Sequence, residues 1–125
     1  MSTRTTAGVA NKVRTALDST DLEQFAELLD PNVTWGAPGD PSPSCQNRRQ
    51  VLAWYDRGRA AGRRAHVLSV TTHGDKILVA MTVTSAADDA VASRWQVLKV
   101  AGGRITDIRG FDDEAEARAA VDHTG

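Results

Sequence analysis

Apolar residues recur at helical spacing in three stretches of the amino-terminal half of the chain. The first stretch predicts a helix over about residues 7–17, whose apolar side is formed by Val9, Val13, Ala16 and Leu17. The second predicts a helix that begins after Thr20, which forms a capping box with Glu23 inside the helix, and that stops at Asp30-Pro31. The third predicts a helix over about residues 46–61, with an inward side of Val51, Trp54, Tyr55 and Gly58.

Beyond residue 62 the period of the pattern changes from that of a helix to that of a strand. The runs 65–72 and 76–84 are rich in β-forming residues and flank Gly74-Asp75, which predicts a tight hairpin. This turn predicts a core face made of His66, Leu68, Val70 and Thr72 together with Ile77, Val79, Met81 and Val83. The runs 91–101 and 104–111 predict a second hairpin about Gly102-Gly103.

The remaining segments complete one domain. A short strand carries Val33 and Trp35 on one side, and the loop after it holds three of the four prolines, which excludes regular structure there. Residues 36–44 of that loop serve either as a lid or as a stiff connection. A last helix is predicted over about residues 113–122, capped by Asp112. The chain is therefore predicted to have six flexible residues, 1–6, and one α+β domain over 7–122.

Charge and cysteine content exclude several classes of function. Fifteen basic and sixteen acidic residues give a net charge of -1, so the chain lacks the field of a general nucleic-acid or anionic-membrane binder. The longest apolar run, 77–83, is too short to span a bilayer. Cys45 is the only cysteine, and the three histidines have no ligand spacing, so we expect neither a disulfide nor a metal or other cofactor. These observations favour a soluble, cytoplasmic protein.

The order of the motifs resembles a known family. The segment TDLEQFAELLDPNVTW, the proline-rich loop, NRRQVLAWY and the ending GGRITDIRGFDD together are similar to the nuclear transport factor two-like superfamily, in its SnoaL-like, polyketide cyclase-like branch. The resemblance implies a cone-shaped α+β barrel, with three amino-terminal helices packed on a curved, mostly antiparallel sheet and a short carboxyl-terminal helix. It also implies a homodimer formed through the outer sheet face, and a pocket for a small hydrophobic molecule at the open end of the cone.

The resemblance implies acid/base side chains inside the cone, and this sequence departs from that pattern. Isomerase-like members carry a carboxylate late in the first strand, where the motif places Gly36. Cyclase-like and hydrolase-like members carry an aspartate in the last strand, where the motif places Gly110. Since glycine has no side chain to accept a proton or hold a water molecule, other residues would have to supply the acid and the base.

Three residues are the candidates for that catalytic role. His66 is predicted on the core face and is a residue type suited to acid/base catalysis, although a satisfied or half-exposed histidine is the simpler interpretation. Tyr55 has a hydroxyl that can donate to a carbonyl. Asp107 forms a water-activating pair with Arg109 or, equally well, a cross-strand ion pair on the outer face.

The last hairpin leaves two choices for the face that lines the cone. One face carries Arg94, Gln96, Asp107 and Arg109, and the other carries Trp95, Val97, Ile108 and Gly110. The residues predicted to line a ligand pocket are Trp35, Trp54, Met81 and Trp95, with plain core packing as the alternative for each. Cys45 is predicted either as a thiol activated at a helix start or, more simply, as a buried or capping residue.

Two functions of different class follow from these residues. The first is a ligand-binding or dimerisation module that has lost its carboxylates. The second is a cofactor-independent isomerase, cyclase or hydrolase that acts on a hydrophobic or polyketide-like substrate by acid/base catalysis with His66, Tyr55 and Asp107. The two glycines at the expected carboxylate positions favour the first.

Overall fold

The computed structural model describes residues 2–19, 22–36, 45–85 and 91–122. Its elements are α1 (Ser2–Ser19), α2 (Leu22–Leu28), β1 (Leu29–Gly36), α3 (Arg48–Ala60), β2 (Arg63–His73), β3 (Lys76–Ser85), β4 (Val91–Ala101), β5 (Arg104–Phe111) and α4 (Glu114–Asp122). None of the described helices is long and apolar enough to cross a bilayer. The predicted α+β class and helix order are confirmed.

The five strands form one curved sheet in the order β1-β5-β4-β3-β2. All neighbours are antiparallel except β1 and β5, which pair in parallel and so attach the first strand to the edge of the later meander. Both predicted hairpin turns are confirmed. Gly74, Gly102 and Gly103 have φ values of 65°, 60° and 80°, a left-handed conformation that residues with a Cβ adopt only at a cost.

The sheet has an inner face, covered by α1–α3, and an outer face, partly covered by α4. The main core lies on the inner face, where Ile77, Val79, Leu98, Ile105 and Ile108 are completely buried. On the outer face, a smaller cluster packs beneath α4 and contains Leu78, Val97, Phe111, Ala117 and Val121. Beneath α4, strands β3, β4 and β5 therefore alternate between two packed surfaces rather than between core and water.

A β-bulge in β2 corrects the predicted faces of the first hairpin. Val70 pairs with Val79 as predicted, but Leu68 is an extra residue, so Val67 pairs with Met81. Beyond the bulge the two faces are exchanged, so Val67 is buried at the position predicted for Leu68, and Ala65 takes the position predicted for His66. His66 is exposed and pairs with Thr82 on the outer face, and Leu68 is 54% exposed. The prediction that His66 and Leu68 face the core is wrong.

A second bulge corrects the last hairpin in the same way. Ala101 pairs with Arg104 as the turn predicts, but Thr106 is an extra residue, so Asp107 pairs with Lys99 instead of Leu98. Neither predicted face is therefore correct. The inner face combines Gln96 with Ile108 and Gly110, and the outer face combines Trp95 and Val97 with Asp107 and Arg109.

Several element boundaries also differ from the prediction. Helix α1 begins at Ser2, within the segment expected to be flexible. Strand β1 begins at Leu29, so Pro31 lies inside a strand at the edge of the sheet, a position where a missing N–H is tolerated. Asp113 rather than Asp112 caps the last helix, because its carboxylate accepts from the Ala115 N–H at 2.9 Å. Thr20 of the capping box and the loop 37–44 lie outside the described residues.

Candidate functional site

Four aromatic side chains from three elements form a continuous cluster on the inner face. Phe25 of α2 contacts Tyr55 of α3 edge to face, with ring centroids 5.2 Å apart. Tyr55 contacts Trp54 at 5.1 Å, also edge to face, and Trp54 stacks on Trp35 of β1 at 4.2 Å with a tilt of 34°. These geometries are typical of favourable aromatic pairs. We call Phe25, Trp35, Trp54 and Tyr55 the aromatic cluster.

Helix α3 brings two of these rings to the sheet because its start is fixed. Asn47 is the N-cap, and its side-chain oxygen accepts from the Gln50 N–H at 2.9 Å. Val51, one turn into the helix, is buried against the sheet. Trp54 and Tyr55 follow at the three- and four-residue spacing that keeps them on the same side.

A polar pair lies beside the aromatic cluster. The Tyr55 hydroxyl donates to Oε1 of Gln96 over 3.2 Å. Gln96 is 8% exposed and is the only buried polar side chain of the described residues. Burial raises the pKa of Tyr55 to about 12, the hydrogen bond with Gln96 opposes that rise, and the Cys45 thiol adds to it. Tyr55 is therefore a neutral hydrogen-bond donor near neutral pH.

The indole nitrogen of Trp35 is a second polar group at this position. Nε1 is buried and has no hydrogen-bond partner among the residues the structure describes. A Cβ added to Gly110 would lie 3.6 Å from Cζ2 of Trp35, so the indole covers this glycine at ordinary van der Waals distance. Gly110 pairs with Gln96 across the strands, which places the indole edge close to the polar pair.

Cys45 forms an isolated antiparallel β-bridge with Trp35 of β1. Its backbone N–H and C=O pair with those of Trp35 over 3.0 and 2.9 Å. The side chain is buried, and burial raises the pKa of the thiol, while the charge of Arg57 acts in the opposite direction. A thiol with a raised pKa is a poor nucleophile near neutral pH. The geometry therefore favours the structural interpretation of Cys45 over the activated one.

The structure separates the three residues predicted to be catalytic. Only Tyr55 lies on the inner face. His66 is exposed on the outer face, and Asp107 also lies there, where Arg109 Nε is 3.0 Å from its Oδ2 and the Thr34 hydroxyl donates to its Oδ1. The outer-face ion pair predicted as the alternative to a water-activating pair is thus present, but it lies within β5, and the cross-strand contact of Asp107 is the hydrogen bond from Thr34.

The residues predicted to line the pocket are divided as well. Trp35, Trp54 and Met81 lie on the inner face and pack on the main core. Trp95 lies on the outer face and packs with the cluster beneath α4, so its predicted place in the cone is wrong. Arg94 shares the inner strand face with Met81, but its side chain is exposed and donates to the Ser93 carbonyl over 3.0 Å.

Two further features lie outside this site. A solvent-open depression of about 490 Å³ lies between α1, α2 and the β4–β5 turn, which is at the other end of the strands from Gly110. It is lined by Lys12, Glu27, Arg104 and other mostly polar residues. The described residues contain no group of three metal-ligating side chains.

A SnoaL-like domain model matches residues 10–108, which is most of the chain. The chain belongs to the SnoaL-like domain family. No curated protein matches it.

Solved structures similar to this SnoaL-like domain share its fold at low sequence identity. A candidate ketosteroid isomerase from Kribbella flavida is 21% identical with a TM-score of 0.73, covering 89% of this chain and 79% of its own. Bal32a, from a soil-derived mobile gene cassette, is 20% identical with a TM-score of 0.75, covering 97% and 98%. TerC, co-crystallised with polyporic acid, is 14% identical with a TM-score of 0.68, covering 95% and 99%.

Gln96 is the buried polar residue beside the aromatic cluster of this SnoaL-like domain. The predicted strand faces grouped it with Asp107 and Arg109 rather than with the aromatic residues. The sequence carried one signal for a buried polar residue here, because the Gln96 side chain is the single amide between Trp95 and the apolar residues Val97 and Leu98. Its face was not predictable, since it depends on Thr106 being the extra residue of β5.

Proposed function

We propose that this SnoaL-like domain binds one small, planar, hydrophobic molecule on the inner face of its sheet, without proton transfer by the described residues. The aromatic cluster beside the Tyr55–Gln96 pair is the observation that carries the proposal. Small-molecule sites are commonly lined by aromatic side chains with a few well-placed polar groups. The tilted stack of Trp54 on Trp35 offers flat apolar surface of the kind that a planar ligand uses.

The chemistry of the inner face favours binding over acid/base catalysis. A catalytic acid or base works best when its pKa is close to the operating pH, and Tyr55 has a pKa of about 12. Gln96 does not titrate, and no carboxylate or imidazole is buried among the described residues. Tyr55 is therefore suited to orient a ligand rather than to move its protons.

Two similar structures support a small-molecule role without defining it. TerC was co-crystallised with polyporic acid, and the Kribbella flavida protein is a candidate ketosteroid isomerase. Both are distant from this chain in sequence, at 14% and 21% identity, so the support for a planar ligand comes from the inner-face residues of this chain.

Binding of fluorene, a planar hydrocarbon, tests the proposal. Equilibrium dialysis is expected to give saturable binding of one fluorene per chain. Trp54→Leu should weaken this binding about fivefold, because it removes one aromatic contact surface from the site. The matched substitution Trp95→Leu, on the outer face, should change it less than about twofold.

Two outcomes would contradict the proposed function. One is the absence of saturable binding of any planar aromatic compound tested, including ketones as well as hydrocarbons. The other is an equal loss of affinity in both tryptophan variants, which would assign the effect to general destabilisation. Circular dichroism of each variant before dialysis establishes that it is folded.

The proposal includes a homodimer formed through the outer sheet face and a cytoplasmic location. Leu68 and Val91 are large apolar residues that are 54% and 65% exposed, and Val91 pairs with Thr84 on the outer face. The buried, unpaired thiol of Cys45 fits a reducing compartment.

The dimer is tested by sedimentation. Sedimentation at micromolar concentration should give a dimer mass, and Val91→Glu should shift the mass to that of a monomer. A monomer for the unmodified chain would overturn the dimer.

A further inference from the structure

Three charged side chains from three different elements line the solvent-open depression between α1, α2 and the β4–β5 turn. Lys12 belongs to α1, Glu27 to α2 and Arg104 to β5. None of the three side chains forms an ion pair or a hydrogen bond with a described residue. The depression therefore presents two positive charges and one negative charge that are not paired within the part of the chain that the structure describes.

The base of this depression is apolar. Val9 and Leu28 line it although they are only 5% and 7% exposed, so their side chains lie at its bottom. The β4–β5 turn adds no side chain at Gly102 or Gly103, and a Cβ added at Gly102 would meet nothing within 4 Å. The volume of about 490 Å³ is in the range of about 300–1,000 Å³ of small-molecule sites. An apolar base below charged side chains suits a small polar molecule with a short hydrocarbon chain.

The charge pattern restricts the kind of molecule that fits. Water hydrates all three exposed side chains in the free protein, so a ligand has to contact several of them together to replace that water. A simple anion would be attracted by Lys12 and Arg104 but repelled by Glu27, and a simple cation would meet the reverse pattern. A molecule with two carboxylates and one ammonium group is complementary to all three.

We propose that this depression binds a free dicarboxylic amino acid, such as glutamate. Arg104 holds one carboxylate through its planar guanidinium group, Lys12 attracts the other carboxylate, and Glu27 accepts from the ammonium group. The hydrocarbon chain of the amino acid lies over the apolar base. The depression is at the other end of the strands from Gly110, so this site is separate from the aromatic cluster and goes beyond the proposed function.

Three molecules with the same five-carbon chain test which groups are recognised. Glutamate carries all three charged groups, glutarate lacks the ammonium group, and norvaline lacks the second carboxylate. Titration followed by NMR is expected to give a dissociation constant on the order of 1 mM for glutamate, because exposed ion pairs each contribute little. Glutarate and norvaline should each bind about threefold more weakly. Added salt should weaken the binding of all three.

Glu27→Gln should change the two dicarboxylates in opposite directions. Glutamate loses the partner of its ammonium group and should bind about threefold more weakly, whereas glutarate loses a repulsion and should bind about twofold more tightly. Removal of a distant negative charge would not produce this reversal. Glu116→Gln, at an exposed glutamate of α4, is the matched control and should leave both affinities nearly unchanged.

Arg104→Gln should weaken both dicarboxylates about fivefold, because it removes the guanidinium group that holds a carboxylate. Arg49→Gln, at an exposed arginine of α3, is the control and should weaken neither. The position of the site is read from the backbone amide signals. Those of Gly102 and Gly103 should shift when glutamate is added, and that of Gly110 should not.

Three results would overturn the proposal. The first is the absence of any shift with glutamate at up to about 20 mM, well above the expected dissociation constant. The second is equal binding of glutamate and glutarate by the unmodified chain. The third is glutamate binding that Arg104→Gln and Glu27→Gln leave unchanged. None of these results affects the binding of fluorene at the inner face, so the two proposals fail separately.

Discussion

Leu98→Ala is expected to lower the free energy of unfolding by about 3 kcal/mol, within the range of about 2–5 kcal/mol for completely buried leucines. Leu98 is 0% exposed at the centre of the main core, between Val97 and Lys99 on the fourth strand. The substitution leaves a cavity that the surrounding strands close only in part. Because the whole domain is expected to be stable by only about 5–15 kcal/mol, the change is large. Urea unfolding followed by tryptophan fluorescence measures it.

Leu68→Ala is the matched control for that substitution. Leu68 is the same residue type, also on a strand, but it is 54% exposed because it is the extra residue of the β2 bulge. Its replacement should change the free energy of unfolding by no more than about 0.5 kcal/mol in the monomeric chain. A loss at Leu68 equal to that at Leu98 would mean that the bulge is misplaced and that the unbulged register is the native one.

Tyr55 is expected to ionise with a midpoint at about pH 12, against the ordinary value of 10 for tyrosine. It is the only tyrosine in the chain, so the absorbance of tyrosinate reports this residue alone. Burial favours the neutral hydroxyl, and this effect outweighs the hydrogen bond with Gln96. The same titration in a denaturant should return the midpoint to its ordinary value. A native midpoint near 10 would contradict the buried hydroxyl.

The raised pKa of Tyr55 also makes the stability of the fold depend on pH. Below pH 10 the tyrosine is neutral in both the folded and the unfolded chain. Between pH 10 and about 12 the unfolded chain loses this proton and the folded chain keeps it, so stability falls as the pH rises. The loss is on the order of 2–3 kcal/mol for a shift of this size. Tyr55→Phe should abolish this part of the alkaline loss, as measured by urea unfolding at about pH 9, below the transition, and at about pH 11.5, within it.

The order of the elements and both hairpin turns could be predicted from the sequence because they depend on local signals. Helical periodicity, glycine pairs and alternating strands act over a few residues, and each turn pairs its first residues as expected. The family resemblance added the arrangement of helices on the sheet, and the packing of α1–α3 on the inner face confirms it.

The faces of the strands could not be predicted because they depend on two bulges. Leu68 and Thr106 each add one residue to a strand, and every residue beyond them changes side. No local pattern at Leu68 or Thr106 distinguishes a bulge from a regular strand. His66 was therefore predicted inside, Trp95 was predicted beside the ligand, and the sequence did not decide which face Asp107 occupies.

The extra residue at Thr106 also explains why the last hairpin has one stable register. If β5 paired without the bulge, Asp107 and Arg109 would replace Ile108 and Gly110 on the inner face and would enter the core. Removing those two charges from water costs far more than one interrupted rung of the ladder. The two charged residues of the outer face thus act against strand slippage. They keep the apolar side of β5 inward because the alternative pairing would bury both charges.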